Sequence, residues 1–229
     1  MSIHLQRDLD ALEREILSQS AMVEGMIVRS CQVIWDLRPR LAQSIFEVEQ
    51  VVNEREVHIE EECLKTLALH QPVAIDLRRI ATVLKINGEL ERIGDLSVNI
   101  VESARIVAES GTLEPPASMR RLAEIARDMV RKAMRSFVSL DVDAARTVCL
   151  TDDEADQLYA EVIQQMEQAA AARPENVRAA FCILFAARDL ERIADHATNI
   201  AQDVIYLAEG EIARHYPQTH DGAASEPTA

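Results

Sequence analysis

The sequence predicts an all-α protein built as two tandem three-helix bundles related by an internal pseudo-repeat. Three observations predict it. The string Leu90-Glu91-Arg92-Ile93-Gly94-Asp95-Leu96-Ser97-Val98-Asn99-Ile100 recurs one hundred residues later as Leu190-Glu191-Arg192-Ile193-Ala194-Asp195-His196-Ala197-Thr198-Asn199-Ile200, with seven of eleven positions identical. A shared offset over so specific a string marks a duplicated unit. Gly and Pro supply only 6 and 7 of the 229 residues and aromatics 3%, a composition that favours long helices over strands and tight turns. Apolar residues return at helical spacing through most of the chain, and no segment alternates as a half-buried strand does.

The first helix is expected from about His4 to Leu37, with Leu5, Leu9, Leu12, Ile16, Met22, Met26 and Val33 on its apolar side. Pro39 stops it and is preorganised to open the next. The second helix runs to about His70, its stripe being Leu41, Ile45, Val48, Val52, Ile59 and Cys63, and Gln71-Pro72 breaks the chain again. The third covers roughly 73–109, with Ile86, Leu90, Ile93 and Ile100 inward. These three make the first repeat, 1–110. Residues 111–117, Gly-, Thr- and Pro-rich, form the linker. The second repeat, 118–214, starts with a helix from about Ser118 to Leu140. A turn at Asp141-Val142-Asp143 supplies capping carboxylates for a fifth helix over about 143–172, with Val148, Ala155, Tyr159, Val162 and Met166 inward. Arg173-Pro174-Glu175 precedes a last helix to about Arg214. The remaining segment, 215–229, has too little apolar content to pack and is expected to be disordered.

Formal net charge is −15, which argues against a nucleic-acid or anionic-membrane surface as the main partner, since both need a basic face. Cys31, Cys63, Cys149 and Cys182 lie far apart without a CxxC pair, so they read as buried thiols of a reducing compartment. No stretch approaches the ~18 apolar residues of a membrane span. The expectation is a cytoplasmic protein that meets a membrane only through partners.

Each repeated string sets Glu, Asp and Asn four residues apart, on one strip of a helix. Two carboxylates at that spacing repel by a few tenths of a kcal/mol unless something cationic compensates. If helices two and three fold back about Pro72, Glu49 stands level with Asp95 and Asn53 with Glu91, because each pair is centred on residue 72. In the second repeat Asp152 with Asp195, and Asp156 with Glu191, are centred on the Arg173-Pro174 break. Four oxygen-bearing side chains then meet in each half, the donor set a hard cation requires. The candidate ligands are Glu49, Asn53, Glu91 and Asp95 in the first set and Asp152, Asp156, Glu191 and Asp195 in the second. Asn99 and Asn199 lie one turn further along. Formal charge is −3 and −4, since Asn53 replaces an acid, so the second set is expected to hold metal more tightly. The shell suits Mg, Mn, Ca or ferric iron, with zinc open on availability grounds.

Other readings of the same residues stand beside this one. Glu91 and Asp95 face away from Ile86, Ile93 and Ile100 and can be an ordinary solvated face. Arg92 and Arg192 can neutralise the neighbouring acids. His196, on the flank of the apolar stripe where the first repeat has Leu96, reads as a packed histidine. Asp76 and Arg78 read as a local cap and pair. Glu56, Glu60, Glu61 and Glu62 read as a solvated run, of which Glu56 and Glu60 can extend the first set.

The segment Gln71-Pro72-Val73-Ala74-Ile75-Asp76-Leu77-Arg78, both Leu-Glu-Arg-Ile-x-Asp strings, Asp152-xxx-Asp156 and their tandem order resemble the PhoU family over nearly the whole chain. The resemblance implies two three-helix bundles with multinuclear metal clusters, iron or zinc in some members. Carried over by position, the ligands are Glu91 with Asp95, Glu191 with Asp195, and Asp152 with Asp156; Glu49-xxx-Asn53 departs from the pattern at its second acid. It also implies a non-catalytic role: negative regulation of phosphate uptake and phosphate-starvation signalling, as an adaptor between a phosphate ABC transporter ATPase and a sensor histidine kinase, and a homodimer. The competing classes are a ferritin-like carboxylate-bridged metalloenzyme and a metal-free helical scaffold. No His here has Glu three residues before it, as the ferritin-like Glu-x-x-His motif requires.

Overall fold

The computed structural model describes residues 3–36, 42–110 and 113–210, and among these every regular element is helical. Six long helices follow in order: α1 (Ile3–Asp36), α2 (Ala42–His70), α3 (Ala74–Ser110), α4 (Ala117–Ser139), α5 (Val142–Ala172) and α6 (Val177–Glu209). One 3-10 turn, Pro174–Asn176, precedes α6. The expected start of α2 at Pro39, Leu41 in its stripe, and the tail over 215–229 lie outside the described residues.

Each described boundary has a local cause. Gln71 and Ala74 adopt left-handed φ of 46° and 50° on either side of Pro72-Val73, and the Gln71 amide closes α2 on Leu67 O at 3.1 Å. Leu140 ends α4 with φ 52°, and Asp141 then caps α5 by accepting from the Ala144 amide at 2.9 Å. α6 stops at Glu209, short of the expected residue 214. Gly210 there takes φ 79° and its amide bonds Tyr206 O at 2.9 Å, the left-handed close that glycine permits without penalty. Over Gly210 lies the guanidinium of Arg78, whose Nη1 would stand 2.6 Å from a Cβ at that position. The arginine therefore meets the C-terminal end of α6, where a cation is favourable, and does not pair with Asp76 among the described residues.

The expected stripes form the core. Leu5, Leu9, Leu12, Ile16, Met26 and Val33 of α1 are buried, as are Ile45, Val52, Ile59 and Cys63 of α2 and Ile86, Leu90, Ile93 and Ile100 of α3. In the second repeat Val148, Ala155, Val162 and Met166 are buried, while Met22, Val48 and Tyr159 are partly buried against the core. The two repeats share one continuous apolar cluster. α3 and α6 pack against each other more extensively than any other pair, and α1–α3, α4–α6 and α1–α4 contacts complete a central quartet. α2 covers the α1–α3 side and α5 the α4–α6 side. α3 and α6 run antiparallel, as Arg78 beside Gly210, Lys85 bonded to Asp203 at 3.1 Å and Glu89 bonded to His196 at 2.6 Å require. No helix among the described residues is long and apolar enough to cross a membrane.

Candidate metal centres

The α5–α6 hairpin turns at Pro174 and sets the second-repeat acids within electrostatic reach of one another. Asp152 and Asp156 come from α5, Glu191 and Asp195 from α6. Partial burial and the Asp195 and Asp156 charges push the Asp152 carboxyl up to about 6, although the Thr198 hydroxyl donates to its Oδ1 at 3.2 Å. Glu191 rises to about 7 through burial and then the charges of Asp195, Asp156 and Asp152. Burial and Asp156 likewise raise Asp195. Asp152, Glu191 and Asp195 are each raised by the charge of at least one other acid of the set, and the compensation is partial: Arg188 offsets Glu191 least of all its influences, and His196 and Arg192 only partly offset Asp195. Carboxyls raised in this way hold their protons to higher pH than free ones do.

The first set is gathered differently. Burial raises Glu91, and Asp95 adds both its charge and a hydrogen bond; the next charge is that of Glu56. Glu56 itself is raised by burial and by Glu60. Glu49 and Asn53 bond each other along α2, Asn53 Nδ2 donating to Glu49 Oε1 at 2.5 Å. The α2 residue that reaches Glu91 electrostatically is therefore Glu56, about one turn nearer Pro72 than Asn53. Asn87, one turn before Glu91, donates from Nδ2 to the Glu56 backbone carbonyl at 2.8 Å and ties α2 to α3 there. The height match about residue 72 thus holds to within about a turn, and the solvated-run reading of Glu56 gives way to a half-buried acid on the α3 side.

Asn199 turns from the acids of its own repeat to Glu89. Asn199 donates from Nδ2 to Glu89 Oε2 at 3.2 Å, across to α3, and Asn99 is exposed. Arg92 donates to Glu89 Oε1 at 2.9 Å and offsets Glu91 only as its smallest influence. The arginine rival to metal is therefore spent on another carboxylate in the first repeat. His196 packs half-buried, its Nδ1 2.6 Å from Glu89 Oε2.

Glu89 is the residue that sequence reasoning missed. It is only 6% exposed, and its carboxylate gathers Arg92, His196 and Asn199 at the α3–α6 contact. Burial pushes its pKa up, but the His196 and Asn199 bonds outweigh that and hold it below the usual range. The available signal was a Glu inside an apolar stripe, three residues after Ile86 and four before Ile93. Thr198 was missed as well, and nothing in its spacing distinguishes it.

As the side chains stand, no three His, Cys, Asp or Glu among the described residues come close enough to hold a metal ion. Asp95, Asp156 and Asp195 are exposed. The donor chemistry fits a hard cation: all-oxygen ligands, raised carboxyls, and an Asn53 Oδ1 that is buried without a hydrogen-bond partner.

The PhoU domain family matches the chain twice, at residues 16–104 and 119–204. A phosphate-specific transport system accessory protein PhoU homolog of Aquifex aeolicus is 34% identical over 92% of this chain and 96% of its own length. The homolog of Pseudomonas putida is 33% identical over 94% of this chain and 84% of its own. The crystal structure of PhoU from Pseudomonas aeruginosa superposes with TM-score 0.85 at 32% identity, covering 90% of this chain and 99% of that one. A phosphate transport system regulatory protein from Streptococcus pneumoniae, 22% identical, shares the fold with TM-score 0.86. With both repeats matched and about a third of aligned residues identical to relatives that it covers over most of their length, this chain belongs to the PhoU family.

Proposed function

We propose that the chain is an accessory protein of a phosphate-specific transport system, a negative regulator of phosphate uptake and phosphate-starvation signalling that works by binding rather than catalysis. The observation that carries this reading is the PhoU match along both repeats to relatives named as accessory proteins of that system. The finer reading is an adaptor, cytoplasmic and homodimeric, that contacts the transporter ATPase and the sensor histidine kinase.

Metal ions held by carboxylates, whether iron, zinc, Mn or Mg, belong to the same proposal. Asp152, Asp156, Glu191 and Asp195 would hold one set; Glu91, Asp95, Glu49, Asn53 and Glu56 supply the other. A bound cation supplies positive charge and fixed oxygen contacts. The chain's part is to draw α5 toward α6, and α2 toward α3, through carboxylates that otherwise repel. Deleting the gene should derepress phosphate-starvation genes in phosphate-rich medium, read by transcript level. Unchanged transcripts would contradict the regulatory role.

A further inference from the structure

The first half of α6 carries an exposed strip that lies outside the core and borders the second carboxylate set. Arg178, Phe181, Phe185, Arg188 and Arg192 follow at three- and four-residue intervals and share one helix face. Phe181 and Phe185 are 55% and 56% exposed, with ring centroids 6.4 Å apart. The chain has four Phe, so half of them stand in water against each other. The three arginines are also exposed, and none is hydrogen-bonded within the described residues.

The duplication supplies an internal control. The counterparts one hundred positions earlier are Arg78, Ala81, Lys85, Gly88 and Arg92. α3 forms and packs with Ala81 and Lys85 where α6 has its two rings, so the architecture does not require aromatics there. Lys85 is committed inside the chain, bonded to Asp203 and lying 4.9 Å from the Tyr206 ring centroid. What the second repeat adds at these positions is apolar area exposed to water, beside exposed guanidiniums that no hydrogen bond ties down and that only partly offset Asp189, Glu191 and Asp195. Aromatic and Arg side chains are the types that dominate the energetic centres of protein interfaces.

We propose that this strip docks a partner protein presenting an apolar pocket rimmed by carboxylates. The three guanidiniums call for carboxylates in bidentate reach, and the rings for an enclosed apolar surface. An anionic bilayer matches less well, because the strip runs straight into Asp195 and Glu191 and the chain as a whole is at −15. A discrete pocket can set its acids against the arginines and clear of Asp195, whereas a headgroup layer presents charge everywhere. A partner seated here borders the α5–α6 carboxylates and can read their state. The inference rests on the adaptor reading.

The test titrates the full chain separately with the phosphate transporter's ATPase subunit and with the full-length sensor kinase in zwitterionic nanodiscs, both from the same organism, by biolayer interferometry at low and high salt. At least one should bind wild type. Phe181→Ser/Phe185→Ser should weaken that binding at least 30-fold, and Arg188→Glu about 10-fold with the difference shrinking in salt. Val57→Ser/Leu64→Ser, at exposed apolar positions on α2, should leave it within twofold. Thermal melts of all variants should stay close to wild type, since the changed side chains are exposed. Binding that ignores the Phe pair overturns the docking site and leaves the adaptor reading intact, while no binding of either partner by wild type overturns both. Adhesion to anionic vesicles, or self-association in sedimentation, that is lost with the Phe pair would reassign the strip and overturn the protein-partner proposal.

Discussion

Glu89 and His196 join the two repeats at a point where both are taken from water. A buried carboxylate stripped of one partner keeps its desolvation cost, so truncation is expensive even though the intact pair contributes modestly. His196→Ala should lower unfolding free energy by about 1–3 kcal/mol in urea titrations; a loss under about 0.5 kcal/mol would show the bond to be incidental. His196→Leu, which restores the residue type of the first repeat, still leaves Glu89 under-bonded and should not rescue. His196 was legible as a packed residue from its place on the stripe's flank. Its partner was not, because a contact between residues 89 and 196 depends on how one repeat lies on the other.

The acids of the second set carry a pH signature. Asp152 at about 6 and Glu191 at about 7 bind protons more tightly folded than unfolded, where carboxyls titrate near about 4. Stability in chelator should therefore fall as pH rises from about 4 through 7. Glu89 has the opposite sign, being held low, and its contribution is lost only as pH falls toward the carboxylate range. Melting temperatures in EDTA at pH 5.5 and 8 should show wild type losing stability with pH and Glu191→Gln losing distinctly less. Parallel slopes would contradict the shared-charge account.

At the scale of elements, the repeat provides its own mutational controls. Gly94 sits mid-helix where the second repeat has Ala194, and an added Cβ would meet Val52 Cγ1 at 3.6 Å and Met26 Cε at 3.7 Å, ordinary contact distances. Gly94→Ala should stabilise by about 0.5–1 kcal/mol through helix propensity. Leu140→Gly should stabilise as well, by up to about 1 kcal/mol, since a leucine holds φ 52° there. A fall in melting temperature in either variant would count against these readings. Helix existence and order were legible because Pro72, Pro174 and Asp141 mark the breaks chemically. The α2–α3 register was legible only to about a turn, because Asn87 and the packing of Val52 against Gly94 tie the two helices together, and both are tertiary.

The whole molecule is more than two bundles in series. α3 and α6 form the most extensive helix–helix seam among the described residues, so each repeat completes its core partly against the other. Duplication predicts like units and says nothing about how they pack, which is why the seam and its Glu89 network escaped the sequence. The α5–α6 acids sense one another across a turn that Pro174 marks in the sequence, whereas on α2 Glu49 and Asn53 bond each other and Glu56 is the acid that acts on Glu91. The formal charge difference, and the departure at Asn53, then predict unequal affinities. The direct measurement is metal titration by calorimetry, with elemental analysis, on untagged chelator-stripped protein. Two unequal classes should appear, and Glu191→Gln/Asp195→Asn should abolish the tighter class while sparing the weaker. A tight class that survives that double substitution, or wild-type protein that takes up no metal, would contradict the account.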